Sequence, residues 1–304
     1  MFIIKDRREQ TLRESVCAPN YKAVSRFYKH RFVGCMETEN KFKSFIASKP
    51  GTNFWLLFKV ASYDRLVQMQ KGLIYMNSLE YFSSLKDEGT LALRADELEK
   101  VYGILRAGKT PTGHTTLSLK VDDEEIDMGP EAVLTAHFPR AKNTMLFCMG
   151  AFSDGEDGLI PGEVDNKIYF DERFLEFGSH ILLINKPRDF SERINKALKK
   201  VSGAFSSKLL HDGYGLVGYK SLENYSGPIG LYLKDTKYSW QMEFRISFGV
   251  EDHCLNSKGA FELEIGDISD ISSIIPVQAL IDEPLCVKRR TFIKSGDGYE
   301  QVNG

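Results

Sequence analysis

The apolar positions of this chain change rhythm from segment to segment, and the rhythm predicts its elements. Phe54–Val60 (Phe-Trp-Leu-Leu-Phe-Lys-Val) has the length and aromatic, apolar make-up of a strand. Ser62 stands where an N-cap belongs; Tyr63, Leu66, Val67 and Gln70 follow at helical spacing, and Gly72 closes the pattern. Leu73–Met76 is a second short strand. The spacing predicts a helix over Arg94–Leu105, turns over Gly108–Gly113, a half-buried strand over Thr115–Val121 and an exposed acidic turn over Asp122–Asp127. Met145–Phe152 and Ile181–Ile184 read as buried strands. Asp189, with Glu192 three residues on, opens a helix whose Phe190, Ile194, Ala197 and Val201 share a face. The last third is strand-rich: Tyr214–Tyr219, Glu243–Val250, Phe261–Ile265, Ile271–Ile275 and Leu285–Ile293. No helices separate these late strands to make them parallel. The prediction is therefore an α+β fold of two packed, mainly antiparallel sheets with helical insertions.

Charge divides the chain. Residues 1–50 carry eleven Lys and Arg against five Asp and Glu, a balance of +6, which leaves −8 for the remainder. Tyr21, Val24, Phe27, Tyr28 and Phe32 lie near helical spacing, with Lys22, Arg26, Lys29 and Arg31 between them. Residues 1–50 are thus expected to form a basic, partly helical arm, and 51–304 a single domain without repeat, linker or low-complexity tract. A content of 42% hydrophobic and 27% charged residues excludes disorder, collagen and coiled coil as descriptions of the whole. No window approaches the roughly 18 apolar residues of a membrane helix. Met1–Ile4 runs into Lys5-Asp6-Arg7-Arg8 rather than a secretory core, so a cytoplasmic protein with no membrane partner is expected. The five cysteines are odd in number, dispersed and never spaced as C-x-x-C, which fits free thiols in a reducing compartment.

Most motif matches fail on context. Gly213–Gly218 spells G-x-G-x-x-G, but Leu216–Tyr219 is itself strand-like, whereas a dinucleotide fingerprint must open a helix. Ser153–Gly158 lacks the spaced oxygen ligands and closing Glu of a calcium loop. The six histidines never pair at metal spacing, so no metal is expected. Scattered acids such as Asp122, Asp154 and Asp235 leave a metal-dependent nuclease open as a third reading, because such sites converge in space.

The segment Lys237–Phe248 stands apart. From Glu243 the alternation sets Glu243, Arg245 and Ser247 on one strand face and Phe244, Ile246 and Phe248 on the other. Two interpretations are open: a solvent-exposed Glu–Arg pair worth under about 1 kcal/mol, or a carboxylate placed to hold a hydroxyl or stabilise a cationic transition state.

Taken together, Leu57-Phe58-Lys59, the helix closing at Gly72, Leu73–Phe82, Arg94–Glu99 and Gln241-Met242-Glu243-Phe244-Arg245 resemble a widespread family of uncharacterised bacterial proteins associated with phage defence. The likeness covers about residues 55–100 and 234–250; Ser83-Ser84 stands where that family has a basic residue after its Tyr-Phe pair. The layout is in turn similar to the ADP-ribosyltransferase superfamily, whose late strand carries a catalytic Gln-x-Glu or Glu-x-Glu. That resemblance implies NAD as substrate. Lys59, where the superfamily usually has Arg or His, would sit near the phosphates or ribose, and Arg94 would join the cofactor-binding set. Asn77 and Ser78 would line the nicotinamide end, with Tyr81 stacking on it. Gln241 would contact the acceptor, and Glu243 would bond the ribose 2′-hydroxyl. It further implies a bacterial toxin or anti-phage effector acting on nucleic acid (RNA or DNA) or protein, with a possible antitoxin. The alternative is a non-catalytic ligand-binding or sensing protein, in which Arg94, Asp96, Glu243 and Arg245 satisfy one another as a buried network.

Overall fold

The computed structural model describes residues 3–4, 54–85, 96–110, 113–155, 160–205, 213–288, 291–295 and 298–302. Apart from Ile3–Ile4, the expected arm lies outside the described residues, as does Arg94. The fold is mixed α+β, with mostly antiparallel sheets and few helices.

The first strand, β1 (Phe54–Ala61), leads into α1 (Tyr63–Gln70), β2 (Leu73–Ser78) and α2 (Leu79–Ser84). Gly72 ends the first turnaround at φ +110°, and a Cβ there would lie 2.5 Å from the Gly266 carbonyl oxygen, so only glycine fits. Next come β3 (Val101–Arg106), β4 (Val133–His137), the long β5 (Thr144–Ser153), β6 (His180–Ile184) and α3 (Pro187–Leu198). The second half supplies β7 (Ala204–Phe205), β8 (Gly213–Leu216), β9 (Gly218–Lys220), β10 (Gly227–Pro228), β11 (Leu233–Asp235), β12 (Glu243–Val250), β13 (Phe261–Glu264), β14 (Ser272–Pro276) and α4 (Val277–Asp282).

A nine-stranded antiparallel sheet runs β7-β12-β5-β1-β6-β14, with β8 also on β12, and with β2 joining β5 and carrying β13. Its centre forks. One edge of β5 pairs with β12 from Thr144 to Gly150. The other edge is shared: β2 takes Met145 and Leu146, and β1 takes Gly150 to Ser153. Helices α1 and α3 cover one sheet face, packing Leu66, Met69, Phe190 and Ile194 onto Leu57, Met149 and Ile246. On the other face Phe58, Phe152 and Ile181 meet Phe174 and the Val277 and Leu280 side chains of α4. A four-stranded antiparallel sheet (Ile3–Ile4, β4, β3, β10) lies alongside, and Tyr102 and Phe138 join Leu79 and Leu146 in an apolar cluster.

Several expectations need correction. The helix predicted over Arg94–Leu105 is, among the described residues, a turn at Glu97–Lys100 followed by β3. Val101 and Ile104 are buried, but they face an apolar cluster on a strand, where tertiary packing overrides helical spacing. The acidic run turns only at Asp122-Asp123; Glu124–Asp127 is a strand paired with Ser118–Val121. Tyr214–Tyr219 divides into β8 and β9, which pair different partners, and Leu285–Ile293 divides into Leu285–Cys286 and a strand from Thr291. Helix α3 opens at Pro187, whose fixed φ suits a first helical position, two residues before the expected start.

Candidate functional site

In an antiparallel ladder, directly paired residues share a face. The register therefore places side chains in rows across the sheet. Phe58, Gly150 and Glu243 form one row, Cys148 and Arg245 the next, and Asn77, Leu146 and Ser247 the third. The fork opens beside the middle row, where β1 has left β5 and β2 has yet to join it. Gly150 keeps the first row passable: a Cβ there would sit 2.0 Å from the Phe58 ring.

Glu243, at the start of β12, is 5% exposed and Arg245 2%. Their interaction is not the solvent-exposed pair that alternation alone allows. Arg245 Nε donates to Glu243 Oε1 (2.7 Å), while Lys234 Nζ from β11 lies 2.8 Å from Glu243 Oε2. Glu99, from the turn before β3, completes the cluster: its Oε1 is 2.6 Å from Arg245 Nη1 and its Oε2 3.8 Å from Lys234 Nζ. Two carboxylates thus face two cations out of water. Arg245 Nη1 also donates to the Leu231 carbonyl (2.7 Å), and Glu243 N donates to Tyr219 Oη (2.8 Å). The Lys234 ammonium lies 5.1 Å from the Tyr238 ring centre.

The electrostatics follow from this burial. Desolvation alone would raise the Glu243 carboxyl, but the Arg245 and Lys234 charges outweigh it and hold the group well below the ordinary carboxylate range. Asp96, on the Glu99 turn, is pushed upward by burial and then by the Glu99 charge. The Cys148 thiol is pushed up to about 12, chiefly by burial and next by Glu243, so it is a poor nucleophile.

Lys59 occupies the fork. Its Nζ donates to the Cys148 carbonyl (2.5 Å), the acceptor that the fork leaves without a ladder partner, and lies 5.0 Å from the Phe147 ring centre. Burial lowers its pKa, opposed by the charges of Cys148 and Glu243. Asn77 and Ser78 end β2 at the junction with β5, but the Ser78 hydroxyl is engaged as the N-cap of α2, accepting from Tyr81 N (3.1 Å). Tyr81 is 46% exposed and packs edge-on against Phe82.

Gln241 departs from its expected place. It ends a short 3₁₀ helix, Thr236–Gln241, and Met242 follows in the left-handed region at φ 45°, so the two-residue alternation that would put Gln241 on the Glu243 face starts only at Glu243. The two still converge, because Gln241 Oε1 lies 3.5 Å from Lys234 Nζ. Sequence reasoning missed the roles of Lys234, Tyr219 and Glu99. Lys234 and Tyr219 carry no local signal, and Glu99 enters only as the end of the Arg94–Glu99 segment. Among the described residues, no group of three or more His, Cys, Asp and Glu is placed to hold a metal ion, and no helix is long and apolar enough to cross a membrane. The chain matches no protein-family model, no curated protein and no solved structure.

Proposed function

We propose that this protein is an NAD-cleaving ADP-ribosyltransferase whose substrate enters at the fork of the large sheet. The observation that carries this reading is that Lys59 and Glu243, far apart in sequence, flank one strand, β5: Glu243 pairs with Gly150 on one face, and Lys59, which leaves β1 on the other face from Phe58, reaches the Cys148 carbonyl in the fork. Asn77 and Ser78 stand at the other lip of the fork. Breaking the bond between nicotinamide and ribose develops an oxocarbenium-like cation, which a carboxylate kept ionised and fixed in a dry site stabilises. Glu243 has both properties. The 3₁₀ turn Thr236–Gln241 places an amide and Trp240 just ahead of it, the side from which an acceptor, nucleic acid or protein, would approach. The reading extends to a toxin or anti-phage effector with an ADP-ribosyltransferase-like fold.

The second reading, a non-catalytic ligand-binding or sensing protein, draws on a specific observation. Both Glu243 oxygens face cations inside the protein, so a ribose hydroxyl must displace Lys234 to reach one of them. One experiment separates the two. Purified protein is incubated with NAD, alone and with cell extract, and released nicotinamide is measured beside labelled ADP-ribose in RNA, DNA and protein fractions. Catalysis predicts turnover that falls about 10²–10³-fold in Glu243→Gln, while Gln241→Ala keeps NAD hydrolysis and loses transfer. Absence of turnover by the parent with every extract hands the protein to the binding reading.

A further inference from the structure

The two carboxylates of the buried cluster are held in different ways. Glu243 belongs to the central strand β12, and its backbone is fixed on both sides, by β5 through Gly150 and by Tyr219 at its N–H. Glu99 comes from a turn, held locally by the Glu99 N–H to Asp96 carbonyl bond (3.0 Å) and by Asp96 Oδ1 accepting from Leu98 N (3.0 Å). Its carboxylate bridges the cations as an incoming anion would, one oxygen on the Arg245 guanidinium and the other toward the Lys234 ammonium. The second contact is long, whereas Glu243 has both cations within 2.8 Å; one oxygen of each carboxylate, Glu99 Oε1 and Glu243 Oε2, is buried and accepts no aligned hydrogen bond. Asp96, also buried, adds a third carboxylate beside only two cations. The turn therefore sets its own negative charge against itself.

We propose that Lys234 and Arg245 form a binding site for the phosphate groups of a nucleotide, and that Glu99 occupies this site as a built-in stand-in that the ligand displaces. A guanidinium beside an ammonium recognises phosphate oxygens by paired donors and a point charge. Displacing Glu99 leaves Glu243 on its strand with one oxygen on Arg245, and draws Lys234 toward the phosphate and away from the other. The same event that binds the nucleotide thus uncovers a Glu243 oxygen. The identity of the nucleotide as NAD rests on the reading above; the phosphate site itself does not.

Calorimetric titration with ADP-ribose and with inorganic pyrophosphate tests the proposal on the full chain. Glu99→Gln removes the competing charge and should bind both probes roughly tenfold tighter or more than the parent, the scale of one buried charge pair. Glu99→Asp keeps the charge, and with it the fold, but is too short to bridge both cations, so it should gain several-fold. Adding Lys234→Met to either variant should abolish the gain. Unchanged or weaker binding in both Glu99 variants overturns the proposal, and if Glu99→Gln does not fold, Glu99→Asp decides alone. A gain in ADP-ribose affinity without NAD turnover keeps the phosphate site and removes the transferase; turnover by the parent without a gain does the reverse. Tight binding that survives Lys234→Met places the phosphate elsewhere and also overturns the proposal.

Discussion

Replacing Glu243 by Gln keeps volume and removes one charge from a cluster of two carboxylates and two cations, all buried. What remains is Glu99 alone, 2.6 Å from Arg245 but 3.8 Å from Lys234. Lys234 then loses its only close counter-ion among these groups, since Glu99 is 3.8 Å away and Asp96, the third buried acid, acts on it only at longer range, so its ammonium is left out of water without a close counter-charge. Breaking a buried pair from one side typically costs about 3–5 kcal/mol, because the orphaned charge keeps its desolvation penalty. The expected loss for Glu243→Gln lies in that range, read as the shift in unfolding free energy by urea titration at pH 7. The double variant Glu243→Gln, Lys234→Met removes one charge of each sign and leaves Glu99 on Arg245. It should recover stability to within about 1–2 kcal/mol of the parent, since a balanced loss of charge leaves no orphan. If Glu243→Gln costs under about 1 kcal/mol, as an exposed pair would, or if the double variant is worse than the single one, the description of a dry, balanced cluster fails. A nicotinamide assay on the same preparations separates lost catalysis from lost folding.

Acidification should weaken the fold through Glu243: its folded-state carboxyl is held low, so its contribution is present above the unfolded value of about 4.3 and is lost as pH falls below it, which acid unfolding with and without Glu243→Gln measures. Asp96 has the opposite sign, its raised folded value making ionisation unfavourable in the native state. Asp96→Asn should therefore stabilise at pH 7 and do nothing at pH 3, by denaturant titration at both. At pH 8 the exposed Cys286 should react with iodoacetamide in the native protein while the half-buried Cys148, pushed up to about 12, stays unmodified by peptide mass mapping; modification of both at equal rates refutes the raised thiol. Gly72→Ala should cost more than about 2 kcal/mol, since φ +110° and the Gly266 backbone leave no room for a methyl group, and an unchanged urea midpoint would refute that turn.

Local pattern decided much of this protein. The Phe54 strand, the helix closing at Gly72, the strand after it and the Glu243–Val250 strand stand where length, alternation and glycine place them, because those signals act over a few residues. The mostly antiparallel character was expected from late strands without crossover helices, and the one α-helix described among them, the six-residue α4, does not change it. Val101–Arg106 shows the limit: its apolar spacing suited a helix, and only the ladder with Val133–His137 and packing on Leu222 and Ile229 made it a strand. The same holds for the site. Alternation put Glu243 and Arg245 on one face, yet it is equally true of an exposed strand and of a buried one. Burial came from β11 and the Glu99 turn closing over that face, and the opposing charges of Lys234 and Glu99 arrived with them. The fork was likewise invisible, since it depends on β1 and β2 dividing one edge of β5. A side chain's periodicity is written in its own neighbours. Its dielectric surroundings and the full set of charges around it are not: Lys234 stands nine residues before Glu243 on another strand, Glu99 comes from a turn more than a hundred residues earlier, and only the tertiary structure brings them together.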